Sequence, residues 1–375
     1  MSKLPHIGTT IFTVMSQLAN EHKAINLSQG FPNFPVDEAL KDIVAKRCKE
    51  EIHQYLPMAG FAPLLEKIAV LTQKSYRRTV NPVAEILITA GATEGIFSSI
   101  QALVNKGEEV IVLDPSYDCY EAPILLCHAK PIRIPLHDDY TPDWESIGGA
   151  MNEKTRMIIV NNPHNPSGKI WTEGDFLALE KLLDSHPNVL VLADEVYEYI
   201  TFERPHLSVH ERPKLQDRSI VISSFGKSFH ITGWKIGYTI APAPLMDEIK
   251  KVHQFVVFSV NSLAQIAIND YLDSVAVAQL GSFYQIKRDY FRNLLAQTRL
   301  ELLPCEGTYF QTVSYAAVSD LDDLAFARQL TTAFGVAAIP VSVFRADKKD
   351  LKHLRFCFAK DEATLAEAGK RLALL

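Results

Sequence analysis

The sequence predicts an α/β protein: a large unit on a mostly parallel, seven-stranded sheet sandwiched by helices, carrying a smaller α+β unit. Three observations predict it. From Glu85 to about residue 275, short β-branched runs alternate with helical patterns, the rhythm of a doubly wound sheet. Beyond that point the alternation gives way to a long helix, scattered strands and a last helix. The polar residues able to carry chemistry also stand just past strand ends, where parallel sheets bind ligands.

Residues 1–10 read as an extended arm. Ile11, Val14, Met15 and Leu18 then recur at helical spacing, which predicts an amphipathic helix over 10–20. Ile25-Asn26-Leu27 reads as a short strand that enters a rigid loop, Ser28 to Pro35, stiffened by two prolines. Helical patterns follow over 36–51 and 61–75. Strands are expected at 86–89, 109–113, 131–135, 157–160, 189–193, 219–222 and 236–240, and helices at 92–105, 118–127, 173–184 and 244–254. The remainder reads as helix 282–299, strand 308–313, helix 322–334, strands 336–339 and 353–358, and helix 361–373. The expected division is an arm that joins the smaller unit (1–35), a large unit (36–280) and a small unit (281–375). The last part needs the arm to close its core.

A chain of 375 residues suits two such units. With 47% hydrophobic and 22% charged residues it can fill a core and is too apolar for disorder. A formal charge of −6 argues against a nucleic-acid groove. The five cysteines form no C-x-x-C, so reduced thiols are expected rather than a disulfide frame or a metal site. No signal-peptide core or membrane-length apolar run is visible, which predicts a soluble, cytoplasmic protein.

The chain is organised around Ser223 to Tyr238, which follows the strand-like run Ile220-Val221-Ile222. Lys227 stands just past that strand with Gly226 beside it, where backbone can admit a bulky ligand. Burial and the nearby Lys235 would lower its pKa and let its amine form a Schiff base. Two rival motifs compete, beside the plain reading of a surface lysine in a loop. Gly226-Lys227-Ser228 resembles a P-loop end, but the first glycine should fall where Val221 stands. Ser224-x-x-Lys227 fits the nucleophile motif of serine acylases, with Ser259-Val260-Asn261 as a second element and no K-T-G to follow.

Other strand ends add weaker signals. Thr89-Ala90-Gly91-Ala92-Thr93-Glu94 opens a helix and can bind phosphate, or simply cap it. Tyr117 can lie against an aromatic ring or merely pack. Asn161 to Gly168 presents amides in a turn, and turn chemistry alone explains it. Asp194, at a buried strand end, needs a partner. Arg355, in the apolar strand Leu354 to Phe358, needs a carboxylate, internal or ligand-borne. Taken in order, these suit a phosphorylated aromatic cation held on a lysine: pyridoxal phosphate.

On these motifs, with Asn26 to Pro32, Gln54-Tyr55 and Gly233-Trp234-Lys235-Ile236-Gly237, the whole chain resembles the class I (fold-type I) pyridoxal-phosphate aminotransferases, nearest the kynurenine/glutamine and methionine branch. The resemblance implies that Lys227 bonds the cofactor and then moves the proton at Cα. It implies that Asp194 pairs with the pyridinium nitrogen, and that Tyr197 and Asn165 bond the ring oxygen. Tyr117 would stack on the ring. Gly91, Ala92, Thr93, Ser224 and Lys235 would hold the phosphate, with Tyr55 reaching it from the second subunit of a homodimer. Arg355, Asn165 and the Gly30 backbone would take the substrate carboxylate, and Phe12 and Phe258 would line the side-chain pocket. Relatives that process kynurenine often carry a tryptophan at Phe12 and a histidine at Ser259, a departure that bears on fine specificity. No metal is implied.

The expected activity is transfer of an α-amino group from an apolar amino acid to a 2-oxo acid, by a ping-pong mechanism. A cysteine-conjugate β-lyase is the alternative on the same cofactor. Residues 252–286 contain no Lys or Arg and offer Phe255, Val256, Val257, Phe258 and Val260, with Phe12, Phe34 and Tyr55 expected alongside. Such a wall favours methionine, phenylalanine, tyrosine, leucine or kynurenine over aspartate, and the resemblance puts methionine first.

Overall fold

The computed structural model describes residues 2–375. Its strands are β1 (Ile25–Asn26), β2 (Ile86–Thr89), β3 (Glu109–Asp114), β4 (Lys130–Pro135), β5 (Thr155–Asn161), β6 (Leu190–Asp194), β7 (Ser219–Ser223), β8 (Gly237–Ile240), β9 (Glu301–Leu302), β10 (Phe310–Ser314), β11 (Val336–Ala337), β12 (Ile339–Pro340) and β13 (His353–Cys357). Seven of them form one sheet in the order β2-β8-β7-β6-β5-β3-β4. Neighbours from β7 to β4 run parallel. In β3, β5, β6 and β7 the Val, Ile and Leu side chains are buried on both faces, as a sheet covered by helices requires, while edge strand β4 is partly exposed.

The exception is β8, antiparallel to both β2 and β7. Only a helical turn (Phe225–Ser228) and a 3₁₀ turn (Thr232–Trp234) separate it from β7. That connection carries no crossover helix, and the chain returns antiparallel. Lys227 and Lys235 both stand in this turn, which is why the return strand matters to the site.

A second sheet, β12-β13-β10-β9, is antiparallel. Beside it β1 pairs in parallel with β11, and Cys357 N–H donates to the Leu27 carbonyl at 2.8 Å. The N-terminal segment is thereby woven into the C-terminal one. Helix Ile11–Glu21, capped by the Thr10 hydroxyl, packs with Met15 and Ala19 buried. One hydrophobic cluster runs from Met15 and Leu27 through Leu192 and Ile222 to Phe326 and Leu365.

Sequence patterning missed helices Trp144–Ala150 and Ser262–Tyr271. Both start at side-chain caps, Asp143 and Asn261. The predicted helix over 36–51 is shorter, Glu38–Arg47, because Asp37 caps it late. Among the described residues, no helix is long and apolar enough to cross a membrane.

Phe326, buried on helix Asp323–Ala333, stacks on the buried Tyr315 ring at 4.3 Å and 24°. Phe326→Ala should destabilise the fold by about 3–5 kcal/mol, read from the urea midpoint. A loss under about 1 kcal/mol would show that this contact is not part of the core.

Candidate active site

The carboxyl ends of the parallel strands open onto a cavity of about 300 Å³, roofed by residues of the second sheet and the N-terminal loop. Of the site residues expected from the sequence, Phe12, Gly30, Gly91, Ala92, Thr93, Tyr117, Asn165, Asp194, Tyr197, Ser224, Lys227, Lys235 and Arg355 line it. Tyr55 and Phe258 do not.

Asp194 ends β6 in register with Asn161, the last residue of β5. Asn161 fixes the turn that follows: its amide donates to the Asp194 carbonyl at 2.9 Å, and its Oδ1 accepts Asn165 N–H at 2.8 Å. The Asn165 Oδ1 in turn accepts from Arg355 Nη1 at 2.7 Å. Arg355 is carried by β13, opposite Thr312 of β10. Its Nη2 donates to the Ser28 carbonyl at 2.9 Å, and its guanidinium carbon lies 3.9 Å from the Phe310 ring centre. Arg355 is 1% exposed, its Nε has no protein partner, and no described carboxylate lies within salt-bridge distance. A buried cation whose direct contacts are all neutral suits an anionic ligand.

The Asp194 carboxylate accepts from the Tyr120 hydroxyl at 2.6 Å and from Val196 N–H at 3.3 Å. Burial pushes its pKa up to about 6, against the pull of those donors and of Lys227. The Lys227 amine donates to the Tyr309 hydroxyl at 3.0 Å. Burial brings its pKa down to about 8; Cys357 and Asp194 draw it up, while Arg355 and Lys235 push it down. Lys235, the second cation expected from the sequence, is thus joined by Arg355.

Helix Ala92–Leu103 points its N-terminus into the cavity. Gly91 precedes it at φ +75°, where an added Cβ would sit 3.2 Å from Lys235 Nζ. A Cβ at Gly237 would lie 2.6 Å from the Ser223 carbonyl and 3.2 Å from Ala92 N. Both glycines therefore keep open a cup of free N–H groups, topped by a lysine, that fits phosphate. With Asp194 for a ring cation and Lys227 for an aldehyde carbon, this donor set fits pyridoxal phosphate.

The remaining expected residues stand elsewhere in this chain. Tyr55 is 80% exposed and lines a separate depression with Arg47, Gln54 and Phe61; it meets Phe258 edge-on at 5.3 Å. Phe255 and Val256 are exposed, and Phe34 packs on His230 and Phe283 instead. The aromatic wall expected from residues 252–286 is thus absent from the cavity of its own chain, which Phe12 and Phe310 line. The serine-acylase reading loses its pieces as well. The Lys227 amine is bonded to Tyr309 rather than Ser224, and Asn261 is a helix cap.

The sequence reading also missed residues. Tyr120, Tyr309 and Phe310 gave no signal of their own, since aromatics usually just pack; Gln29 and Thr232 stand in marked stretches, where nothing in their type set them apart. Asn161 stood in a marked turn, but its two-way bonding appears only in the fold.

Asp194 gives a stability prediction. Its pKa is raised in the folded state, so the stability its protonated form contributes is present below about pH 4 and lost as pH rises through about 6. Asp194→Asn should therefore raise the Tm of the cofactor-free chain by roughly 2 °C or more at pH 8, with the gain gone near pH 4. A lower Tm at pH 8 would mean that the carboxylate stabilises the fold.

Comparison with known proteins agrees with this geometry. The family model described as aminotransferase class I and II matches residues 22–372. The methionine aminotransferase of Escherichia coli K12 is 48% identical over 378 residues, covering 100% of this chain and 98% of that protein. A kynurenine–oxoglutarate transaminase of Dictyostelium discoideum is 34% identical, covering 98% and 94%. A crystal structure from Escherichia coli, reported with a methionine aminotransferase function, superposes with a TM-score of 0.97 at 47% identity, covering 100% of this chain and 99% of that one. The match runs through both sheets and every strand end that frames the cavity, and this chain belongs to the class I and II aminotransferase family.

Proposed function

We propose that the chain is a pyridoxal-phosphate-dependent aminotransferase of methionine and related apolar or aromatic amino acids, working as a cytoplasmic homodimer. The observation that carries this reading is Arg355, a buried cation among neutral dipoles beside Lys227 and Asp194, in a chain 48% identical to a methionine aminotransferase.

Lys235, Ser224 and the N–H groups of Ala92 and Thr93 would hold the phosphate, with Gly91 giving them room. Asp194 would hold the ring nitrogen, Tyr197 and Asn165 the ring oxygen, and Tyr117 the ring face. Bound there, the cofactor supplies an electron sink for the charge left when Cα loses its proton. The neutral Lys227 amine takes that proton and returns it, which its lowered pKa allows near neutral pH. Arg355 and Asn165 fix the donor's carboxylate and so present Cα to that amine.

The cations lining the cavity are Lys227, Lys235 and Arg355, each with a task at the cofactor or the α-carboxylate. None remains for a distal carboxylate, whose burial would cost roughly several kcal/mol unpaired. An apolar side chain instead gains about 0.8 kcal/mol per buried methylene, and a thioether adapts to irregular walls. Measured as kcat/KM with one shared 2-oxo acid, methionine should lead, followed by phenylalanine, tyrosine, leucine and kynurenine. Aspartate outrunning methionine would refute the donor assignment, and pyruvate with ammonia from cysteine conjugates would favour a lyase.

The dimer rests on Tyr55, exposed together with Phe255, Val256 and Phe258. These residues would complete the side-chain and phosphate ends of the partner's cavity. If so, an inactive Lys227→Ala chain and an impaired Tyr55→Ala chain should complement each other. Co-refolded one to one, they should recover about a quarter of wild-type activity, since half the dimers are mixed and each has one intact site. No gain over the separate variants would show that Tyr55 serves its own chain or none.

A further inference from the structure

The Lys227 amine donates to the Tyr309 hydroxyl at 3.0 Å, and that hydroxyl donates to the Gly30 carbonyl at 2.6 Å. A phenol has one proton, and a carbonyl can only accept it. The hydroxyl therefore meets Lys227 only as an acceptor. One N–H of the amine is pinned toward Tyr309, which leaves its other positions, lone pair included, to face the rest of the cavity. The ring that carries the hydroxyl is itself fixed. Tyr309 is fully buried, edge-on to Tyr197 at 5.2 Å and to Phe310 at 4.9 Å, with Tyr284 at 5.6 Å. Burial pushes its pKa upward, so it stays a neutral phenol at working pH.

Its other bond leads to the substrate end. Gly30 stands two residues beyond Ser28, whose carbonyl receives Arg355 Nη2 at 2.9 Å. One hydroxyl thus links the proton-moving amine to the loop that Arg355 holds.

We propose that Tyr309 is a positioning residue for Lys227, aiming the amine and, through Gly30, tying that aim to the loop at Arg355. The inference rests on the aminotransferase reading of the cavity and adds to it a residue that the reading does not use.

The test uses the purified holoenzyme and methionine. Tyr309→Phe keeps the ring and removes both hydrogen bonds. Its Tm and cofactor content should stay near wild type, while the single-turnover half-reaction slows by about tenfold or more. The effect should fall on kcat more than on KM, and the isotope effect from deuterium at Cα should grow. In a Lys227→Ala background rescued by methylamine, the same substitution should cost little more, because its effect runs through the amine. An unchanged half-reaction, equal losses in both backgrounds, or a Tyr309→Phe chain that no longer folds would each overturn the proposal; the last would make the hydroxyl a group of the fold. Failure of wild-type protein to transfer an amino group is a separate outcome, seen before any substitution, and would remove the aminotransferase reading itself.

Discussion

The structure is built around one expensive arrangement: charges buried in a common cavity and held by dipoles rather than by opposite charges. Arg355 has an amide oxygen, a carbonyl and an aromatic face. Lys227 has a phenol, and Asp194 a phenol and a backbone N–H. Isolating an ion from water costs roughly several kcal/mol even after relaxation. A neighbouring counter-ion would reduce that cost, but it would also occupy the place of a ligand. Neutral dipoles moderate the charge and leave it available.

Supplying those dipoles dictates much of the local fold. The turn from Asn161 to Asn165 must close on itself so that Asn161 bridges Asp194 and Asn165. The N-terminal loop must run beneath β13 to present the Ser28 and Gly30 carbonyls, which explains why β1 is held against β11. Behind Asp194 lies a second buried polar group. His206 donates to Glu195 at 2.9 Å, Val209 N–H donates to the same carboxylate, and Glu198 accepts from Tyr76 and Tyr238. Against the upward push of burial, the facing His206 draws the Glu195 carboxyl below its usual value. Here the charges are satisfied internally, and no cavity-lining residue comes from this group. The contrast between the two buried sets, one closed and one open, marks which is structural and which faces a ligand.

How much of this was legible follows from the same distinction. Strand positions could be read because β-branched runs such as Ile220 to Ile222 have no other stable fate when buried on both faces. Most candidate site residues could be picked out because they stand just past strand ends, where the sheet's geometry puts ligands; Phe12, on the first helix, and Arg355, inside β13, follow no such rule. Asp194 and Lys227 are conspicuous there, and a lone arginine in Leu354 to Phe358 violates the pattern of its strand. Tyr309 and Tyr120 violate nothing: a tyrosine just before a strand or a helix is ordinary, and only the third dimension shows where its hydroxyl ends. The helix at 262–271 was missed because its apolar residues are buried nearly all round, from Ala264 to Asn269, so no amphipathic stripe appears. Phe255 and Phe258, expected to line the side-chain pocket, stand exposed in this chain; an apolar run marks residues that seek cover, and sequence does not say what supplies it.

The direction of each shift completes the argument. Burial raises Asp194 and lowers both Lys227 and Arg355, so in all three cases the folded chain disfavours the charged form. A ring cation at Asp194, an aldehyde carbon at Lys227 and a carboxylate at Arg355 would each remove one of these penalties. Ligands that bind the folded state alone stabilise it in proportion to that gain. The same residues that make the cavity reactive therefore weaken the fold by themselves, and they do so at positions where a stability-optimised core would hold neutral side chains. That opposition is what a site awaiting a ligand predicts, and at Asp194, Lys227 and Arg355 it falls on residues that line the cavity.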